Sequence, residues 1–338
     1  MVLPKRSLDH GIRFFLFFTA LIVFFFAAAR IFWFSSVSIR PIWGATFSSL
    51  YAEQLGLDWR ETYIAVLDEL HIQKLRIPVY WSEVEIKQGV YDWKSIDWML
   101  DEAEKRGVKV TLVTGRKVPR WPECFIPDWA ERMESSQAQH ALLNTIETTV
   151  KRYQKRSVVE RWQVENEPFF PFGICPEPDF ALFQKEVRLV ENLDYRPLVV
   201  TVSGELEPWI PPAISVNMLG ISMYRVTWNS WYGYGLYAAV TDFYRIRAMI
   251  LHLFGRQTFI SELQVEPWLR KPLSEMSREE KRQAFDSHQL EQNMRFASRA
   301  EFSEVYLWGV EWWFAEKQQG NSELWEAGKK EIESNFGQ

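Results

Sequence analysis

The stretch W162-Q-V-E-N-E-P-F-F170, WQVENEPFF, joins an apolar run to two carboxylates, an amide and a proline within nine positions. Trp162 to Val164 continue the run that begins at Val158, and read as the end of a buried strand. Glu165, Asn166 and Glu167 follow, and Pro168 withdraws an N–H that further pairing would need. Charge at a strand end is, in most proteins, simply a chain meeting solvent. In a barrel of parallel strands, the C-terminal strand ends are instead where reactive groups gather. The neighbouring sequence decides between these readings.

Outward from this stretch, strand-like and helix-like patterns alternate. Short apolar runs fall at 41–47, 74–81, 108–115, 158–166, 197–204, 216–224, 257–263 and 304–310. Helical periodicity fills 58–70, 94–106, 134–155, 179–192, 236–253, 278–299 and 322–334. Only the connection after the fifth run is short and proline-rich. The runs are apolar throughout, as strands buried on both faces are. Eight such units in one chain of 338 residues predict a (β/α)8 TIM barrel, an α/β fold, occupying residues 36–338 as one domain.

Composition narrows the function. A net charge of -5 with no basic stripe gives no support for nucleic-acid binding. The histidines, His10, His71, His140, His252 and His288, form no metal-ligand spacing, and no glycine-rich phosphate loop occurs. Neither a metal nor a cofactor is expected. Aromatic residues reach 16%, with 17 Trp, many of them near strand ends or in loops, where their faces suit sugar rings.

Residues 1–35 read separately. Lys5, Arg6 and Arg13 precede an apolar run from Phe14 to Ala29, and Ile31 to Phe34 continue it past Arg30. Read through Arg30, the segment reaches the roughly 20 residues a membrane span needs. Trp33 suits the interface, and Arg30 can extend to the headgroups. The competing reading is a cleaved signal peptide with Ala27-Ala28-Ala29 at its processing site. Either one puts the body outside the cytoplasm, anchored to the cell membrane by a single helix or secreted.

The barrel rule assigns to one mouth Arg76 and Trp81 (second strand), Arg116 and Lys117 (third), Asn166 and Glu167 (fourth), Glu205 (fifth), Tyr224 (sixth), Glu262 (seventh), and Trp308 and Glu311 (eighth). Two carboxylates facing each other there suit glycoside hydrolysis. One protonates a poor leaving oxygen; the other meets the charge developing at the anomeric carbon. These residues also carry a family resemblance. Asn166-Glu167-Pro168 resembles the acid/base motif of the large (β/α)8 clan of retaining glycoside hydrolases that includes cellulases, xylanases and β-galactosidases. FISELQVEPW (259–268) resembles its nucleophile strand, and LRIPVYWSEVEIKQGVYDW (75–93) its second strand and following loop. Tyr224 in GISMYR and Trp308 in VYLWG are similar to the clan's sixth-strand Tyr and eighth-strand Trp. The resemblance spans about residues 41–335.

It implies a double displacement on a carbohydrate, with Glu262 as nucleophile and Glu167 as acid/base. Arg76 would hold Glu262, Asn166 would bond the sugar 2-hydroxyl, Tyr224 would donate to Glu262, and Trp308 would floor the reacting subsite; Trp81 is grouped with them as a substrate contact. The competing function is a membrane-anchored barrel that binds glycans without cleaving them. Two departures leave the substrate open: Ser222 stands where cellulase-type members carry a His, and Arg116-Lys117 where many carry another. That cationic pair could recognise an acidic sugar or simply be solvated.

Other residues have plainer readings. Glu165 shares strand parity with Glu167 and is expected to be structural, paired with an Arg of the second or third strand. Glu266 could line the cleft or be solvated. Trp312-Trp313 could be a sugar platform or core. Cys124 and Cys175 fall in loops that a barrel makes neighbours, and an exported chain would bridge them; buried free thiols are the alternative.

Overall fold

The computed structural model describes residues 13–20, 24, 40–229, 231, 233–268 and 276–334. Eight strands close a parallel barrel: β1 (Ile42–Thr46), β2 (Lys74–Pro78), β3 (Lys109–Thr114), β4 (Val159–Val164), β5 (Leu198–Ser203), β6 (Met218–Met223), β7 (Gln257–Gln264) and β8 (Glu304–Trp308). Each pairs with its sequence neighbours, and β8 closes the ring on β1, with Ile42 opposite Glu304 and Thr46 opposite Trp308. The eight apolar runs are therefore the eight barrel strands, each ending one to three residues earlier or later than its hydrophobicity suggests.

Helices surround this sheet. Trp59–Asp68, Lys94–Lys105, Ser135–Tyr153, Phe180–Leu193, Thr241–Leu253, Ser287–Arg299 and Glu323–Glu333 supply the longer ones, and after β5 there is only the four-residue turn Ile210–Ala213. Local chemistry sets several starts. Asp58 accepts from the N–H groups of Arg60 and Glu61, and Asp179 from that of Leu182, capping donors a helix leaves unpaired. The expected helix over 278–299 is two, Arg278–Ala284 and Ser287–Arg299, because Phe285 is extended and Asp286 caps a new start. The segment after β6 forms an antiparallel hairpin, Val226–Asn229 with Gly233–Leu236.

Inward-facing residues stack in layers along the barrel axis. Near the strand starts, Arg161 donates to Thr111 Oγ1 (2.9 Å), to Tyr306 Oη (2.9 Å) and to Glu304, while Lys74 bonds Glu160 and Glu304. Val199, Phe259 and Tyr306 form a small apolar layer. Beyond it comes a second polar layer around Arg76 and Gln163, which supports the mouth. Residues two apart along a strand share a face, so this order follows from Arg161 to Gln163 on β4 and from Lys74 to Arg76 on β2.

At the N-terminus, residues 13–20 and 24 are helical with exposed side chains. Among the described residues no helix is long and apolar enough to cross a membrane. Most of the expected anchor or signal segment lies outside the described residues.

Candidate active site

The barrel mouth is a cleft of about 480 Å³ lined by Glu123, Asn166, Glu167, Tyr224, Glu262 and Trp308 among others. Its base is the guanidinium of Arg76, fully buried and fixed on every side. Nε donates to Gln163 Oε1 (2.7 Å), Nη1 to Glu262 Oε1 (2.9 Å) and to Thr46 Oγ1 (3.3 Å), and Nη2 to Asn166 Oδ1. Arg76 thus lies beneath the cleft and holds Glu262 and Asn166; it does not line the space a sugar would fill. This corrects the expectation that it contacts substrate.

Glu262 takes its second bond, 3.4 Å, from the Tyr224 hydroxyl. Asn166 Oδ1 also accepts from Thr201 Oγ1 (2.8 Å), and its Nδ2 donates to Glu123 Oε2 (3.2 Å). The backbone leaves its strand conformation here: Glu165 and Glu167 have φ of 58° and 45°. The Glu167 N–H donates to Thr201 Oγ1 (3.0 Å), and its carbonyl accepts from Lys117 Nζ (2.9 Å). A non-glycine residue at positive φ is uncommon, and these two turn successive carboxylates to different places.

Glu167 points into the cleft with Oε1 buried and unpartnered. Burial pushes its carboxyl well above the usual carboxylate range, and Glu262, Glu207 and Glu123 push in the same direction; a hydrogen bond from Ser222 opposes them only in part. Ser222 thus occupies the cleft beside the acid/base candidate.

Glu165, whose parity with Glu167 placed it on the inward face, instead turns out of the barrel at its positive φ, and its hydrogen-bond partners are backbone. Oε1 accepts from the Arg116 N–H (2.8 Å) and Oε2 from the Lys117 N–H (2.7 Å). The carboxylate lies on Gly115, where φ is +134° and any Cβ would fall 2.6 Å from Oε1. Arg116 and Lys117 do not line the cleft. Lys117 is buried and bonds the carbonyls of Glu167 and Phe170 (2.6 Å), so the pair offers no cationic sugar site there.

Trp81 is not brought to the site. The chain turns into a short helix at Trp81–Val84, and the buried indole donates to Glu85 Oε2 (2.7 Å) and packs edge-on against Trp129. Its expected role as a substrate contact is corrected: β2 ends at Pro78, so residue 81 no longer follows strand parity. Trp308 lines the cleft with Arg120 stacked 4.2 Å from its ring centroid. Trp312 and Trp313 are core, on a helix spanning Val310–Gln318.

Two residues of the cleft, Arg120 and Glu123, were not anticipated. Arg120 is buried and joins Glu266 (2.5 Å) to Glu311 (3.0 Å). Glu266 therefore lines the cleft as half of an ion pair. Glu205 accepts from the Tyr224 N–H (3.2 Å) and the Tyr244 hydroxyl (2.5 Å), and burial raises it to about 7. Glu123 is buried beside Asn166; burial first and Glu262 second raise it to about 8. Gln163 was legible through its parity with Arg161, whereas nothing in the irregular loop VPRWPEC marks Arg120 or Glu123. Cys124, next to Glu123, forms a disulfide with Cys175, with Cα atoms 5.2 Å apart. Among the described residues no cluster of side chains could hold a metal ion.

A sequence model for Glycosyl hydrolase family 10 matches residues 78–177, the segment from the end of β2 through the Asn166-Glu167 turn. No curated protein matches the chain in sequence. Solved structures match the fold. Native xylanase 10B from Thermotoga maritima superposes with a TM-score of 0.59 at 16% identity, over 88% of this chain and 96% of that one. Xylanase 10B from Thermotoga petrophila, in complex with xylobiose, gives 0.58 at 14% identity, over 88% and 95%. A GH5_18 protein from Bifidobacterium longum subsp. longum, in complex with Manb1-4GlcNAc, gives 0.60 at 12% identity, over 88% and 78%. By its matched segment and by its barrel, the chain is similar to the retaining (β/α)8 glycoside hydrolases.

Proposed function

We propose that this protein is a retaining glycoside hydrolase that cleaves O-glycosidic bonds, of β configuration, in oligo- or polysaccharides. The observation that carries the reading is the contrast between two carboxyls in one cleft. Glu262 is met by a guanidinium and a phenol, while Glu167 is buried, unpartnered at Oε1 and raised well above its ordinary range. Such divergence separates a nucleophile from an acid. Glu262 attacks the anomeric carbon as Glu167 gives its proton to the departing oxygen. The resulting ester removes the charge on Glu262, which was helping to hold the proton on Glu167, so Glu167 can now take one from water. Asn166, its Oδ1 fixed by Arg76 and Thr201, offers Nδ2 toward the sugar 2-position.

The β configuration is supported by the similar structures, whose bound sugars are xylobiose and Manb1-4GlcNAc. We further propose that the apolar N-terminal segment tethers the barrel to the cell membrane on its outer side, the alternative being secretion after cleavage; the Cys124–Cys175 disulfide fits an oxidising compartment.

The test is turnover of β-linked aryl glycosides and polysaccharides by the wild type and by Glu262→Ala. Loss of turnover in the variant, restored by azide as a glycosyl azide of inverted configuration, supports the reading. Glycan binding without turnover in the wild type would replace it with a binding function.

A further inference from the structure

The cleft carries more carboxyl groups than a neutral sugar calls for. Its lining includes the five carboxylates Glu123, Glu167, Glu205, Glu262 and Glu266, and one cation, Arg120. Arg120 is already spent on Glu266 and Glu311. Arg76, below, is committed to Glu262, and Glu205 to the N–H of Tyr224 and the hydroxyl of Tyr244. Glu167 and Glu262 belong to the proposed reaction. Glu123 is left over. Its carboxylate has one hydrogen bond, from Asn166 Nδ2, and it forms no ion pair. Lys117 and Arg76 act on it only through space, and Glu262 opposes its ionisation.

The position is nonetheless firmly built. Glu123 adopts φ +76°, donates its N–H to Arg120 O (2.7 Å) and accepts at its carbonyl from Val118 N–H (2.8 Å). The next residue is held by the disulfide. Across from it, Gly173 leaves room that a side chain would take: a Cβ there would fall 2.6 Å from Glu123 Cβ. A buried carboxyl fixed this way, short of positive charge, keeps its proton until a cation arrives to pair with its ionised form.

We infer that Glu123 is a specificity-determining residue that selects, beside Asn166, a sugar whose C2 substituent is a free amine in its ammonium form. This rests on the glycosidase reading, in which Asn166 Nδ2 addresses the 2-position. Glu123 Oε2 lies 3.2 Å from that same nitrogen, within reach of the same substituent. An ammonium supplies the missing charge and three donors; an N-acetyl group supplies a single N–H donor and no charge. Because the empty-cleft Glu123 is raised to about 8, it holds a proton at neutral pH, and pairing with an ammonium expels that proton to solvent.

The experiment is calorimetric binding to the full-length chain carrying Glu167→Gln, which mimics the protonated acid and slows turnover of unactivated oligosaccharides by about 10²–10⁴. Oligosaccharides of β-1,4-linked glucosamine are compared with their N-acetylated and cello-oligosaccharide counterparts, in buffers of differing ionisation heat. The expected result is binding of the amine series tighter by about tenfold or more, the size of one charge-assisted contact, with release of a proton that the neutral series lacks. Adding Glu123→Gln, which keeps an acceptor for Asn166, removes both the preference and the proton release; Glu123→Asp retains them in part. Equal affinity for the two series, a preference that survives Glu123→Gln, or no binding of the amine series overturns the inference. Turnover of a neutral glycoside by the wild type in any of those cases leaves the glycosidase reading standing.

Discussion

Glu167 sits where burial and three neighbouring carboxylates all favour its proton, against a smaller opposing effect of the hydrogen bond with Ser222. The acid role proposed for Glu167 then depends on pH in a defined way. Activity falls as pH rises through the Glu167 pKa, because the form that can protonate a leaving oxygen disappears. Glu167→Gln is expected to lower kcat by about 10²–10⁴ on substrates with poor leaving groups, far less on activated aryl glycosides, and to erase the basic limb of the pH–rate profile. A basic limb that persists in the variant would assign it to another group. Arg76 supports a prediction about stability. It is enclosed by Glu262, Asn166 and Gln163, so Arg76→Met leaves an uncompensated buried carboxylate and an amide short of a donor. The expected loss is about 3–5 kcal/mol in urea unfolding. Combining it with Glu262→Gln should recover part of that loss, since the pair is coupled; strictly additive losses would show that the ion pair is not what the substitution breaks.

The elements differ in how plainly the sequence announced them. Barrel strands are apolar on both faces, and eight such runs between amphipathic helices admit few other folds. The loops after β3 and β4 are different. They are tied by Cys124–Cys175, closing 51 residues of sequence separation, and they hold Glu123 against Asn166. Cys124→Ser should therefore cost about 2–4 kcal/mol of stability, and the wild type should lose the same amount under reductant while the variant does not respond. Equal sensitivity of both proteins to reductant would mean the bridge does not constrain the loops. The strand-end rule placed Glu262 and Trp308, which lie on their strands, and Asn166, Glu167 and Tyr224, one to three residues beyond theirs, at the cleft. It misplaced Trp81, three residues beyond β2, where a helical turn has already redirected the side chain. It could not find Arg120 and Glu123, which reach the cleft through positive-φ turns in a loop without periodicity. The Glu165 partner was expected to be an Arg side chain and proved to be two backbone N–H groups, a kind of pairing residue types do not reveal. The hairpin after β6 escaped because its aromatic residues alternate no more regularly than a loop's.

Across the molecule, buried carboxyls divide by which end of the barrel they occupy. At the strand starts, Glu304 is held below its ordinary range; burial opposes this, but Arg161 and Lys74 prevail. At the mouth, burial raises Glu123 to about 8, and Glu205 and Glu207 to about 7, from a usual value of 4.5. The mouth groups bind protons more tightly folded than unfolded. Their contribution to stability is complete below pH 4.5 and is lost as pH climbs through 7 and 8. Glu304 works oppositely, with stability present above 4.5 and lost as acid protonates it. Together these place maximal stability at about pH 5, close to the usual carboxylate range. The thermal midpoint should fall steadily from about pH 5 to about pH 8. Glu123→Gln cannot ionise and keeps the bond to Asn166, so its decline over that interval should be shallower than that of the wild type. Parallel curves for the two proteins would show that Glu123 takes no part in the decline, and that the mouth does not hold its proton at neutral pH.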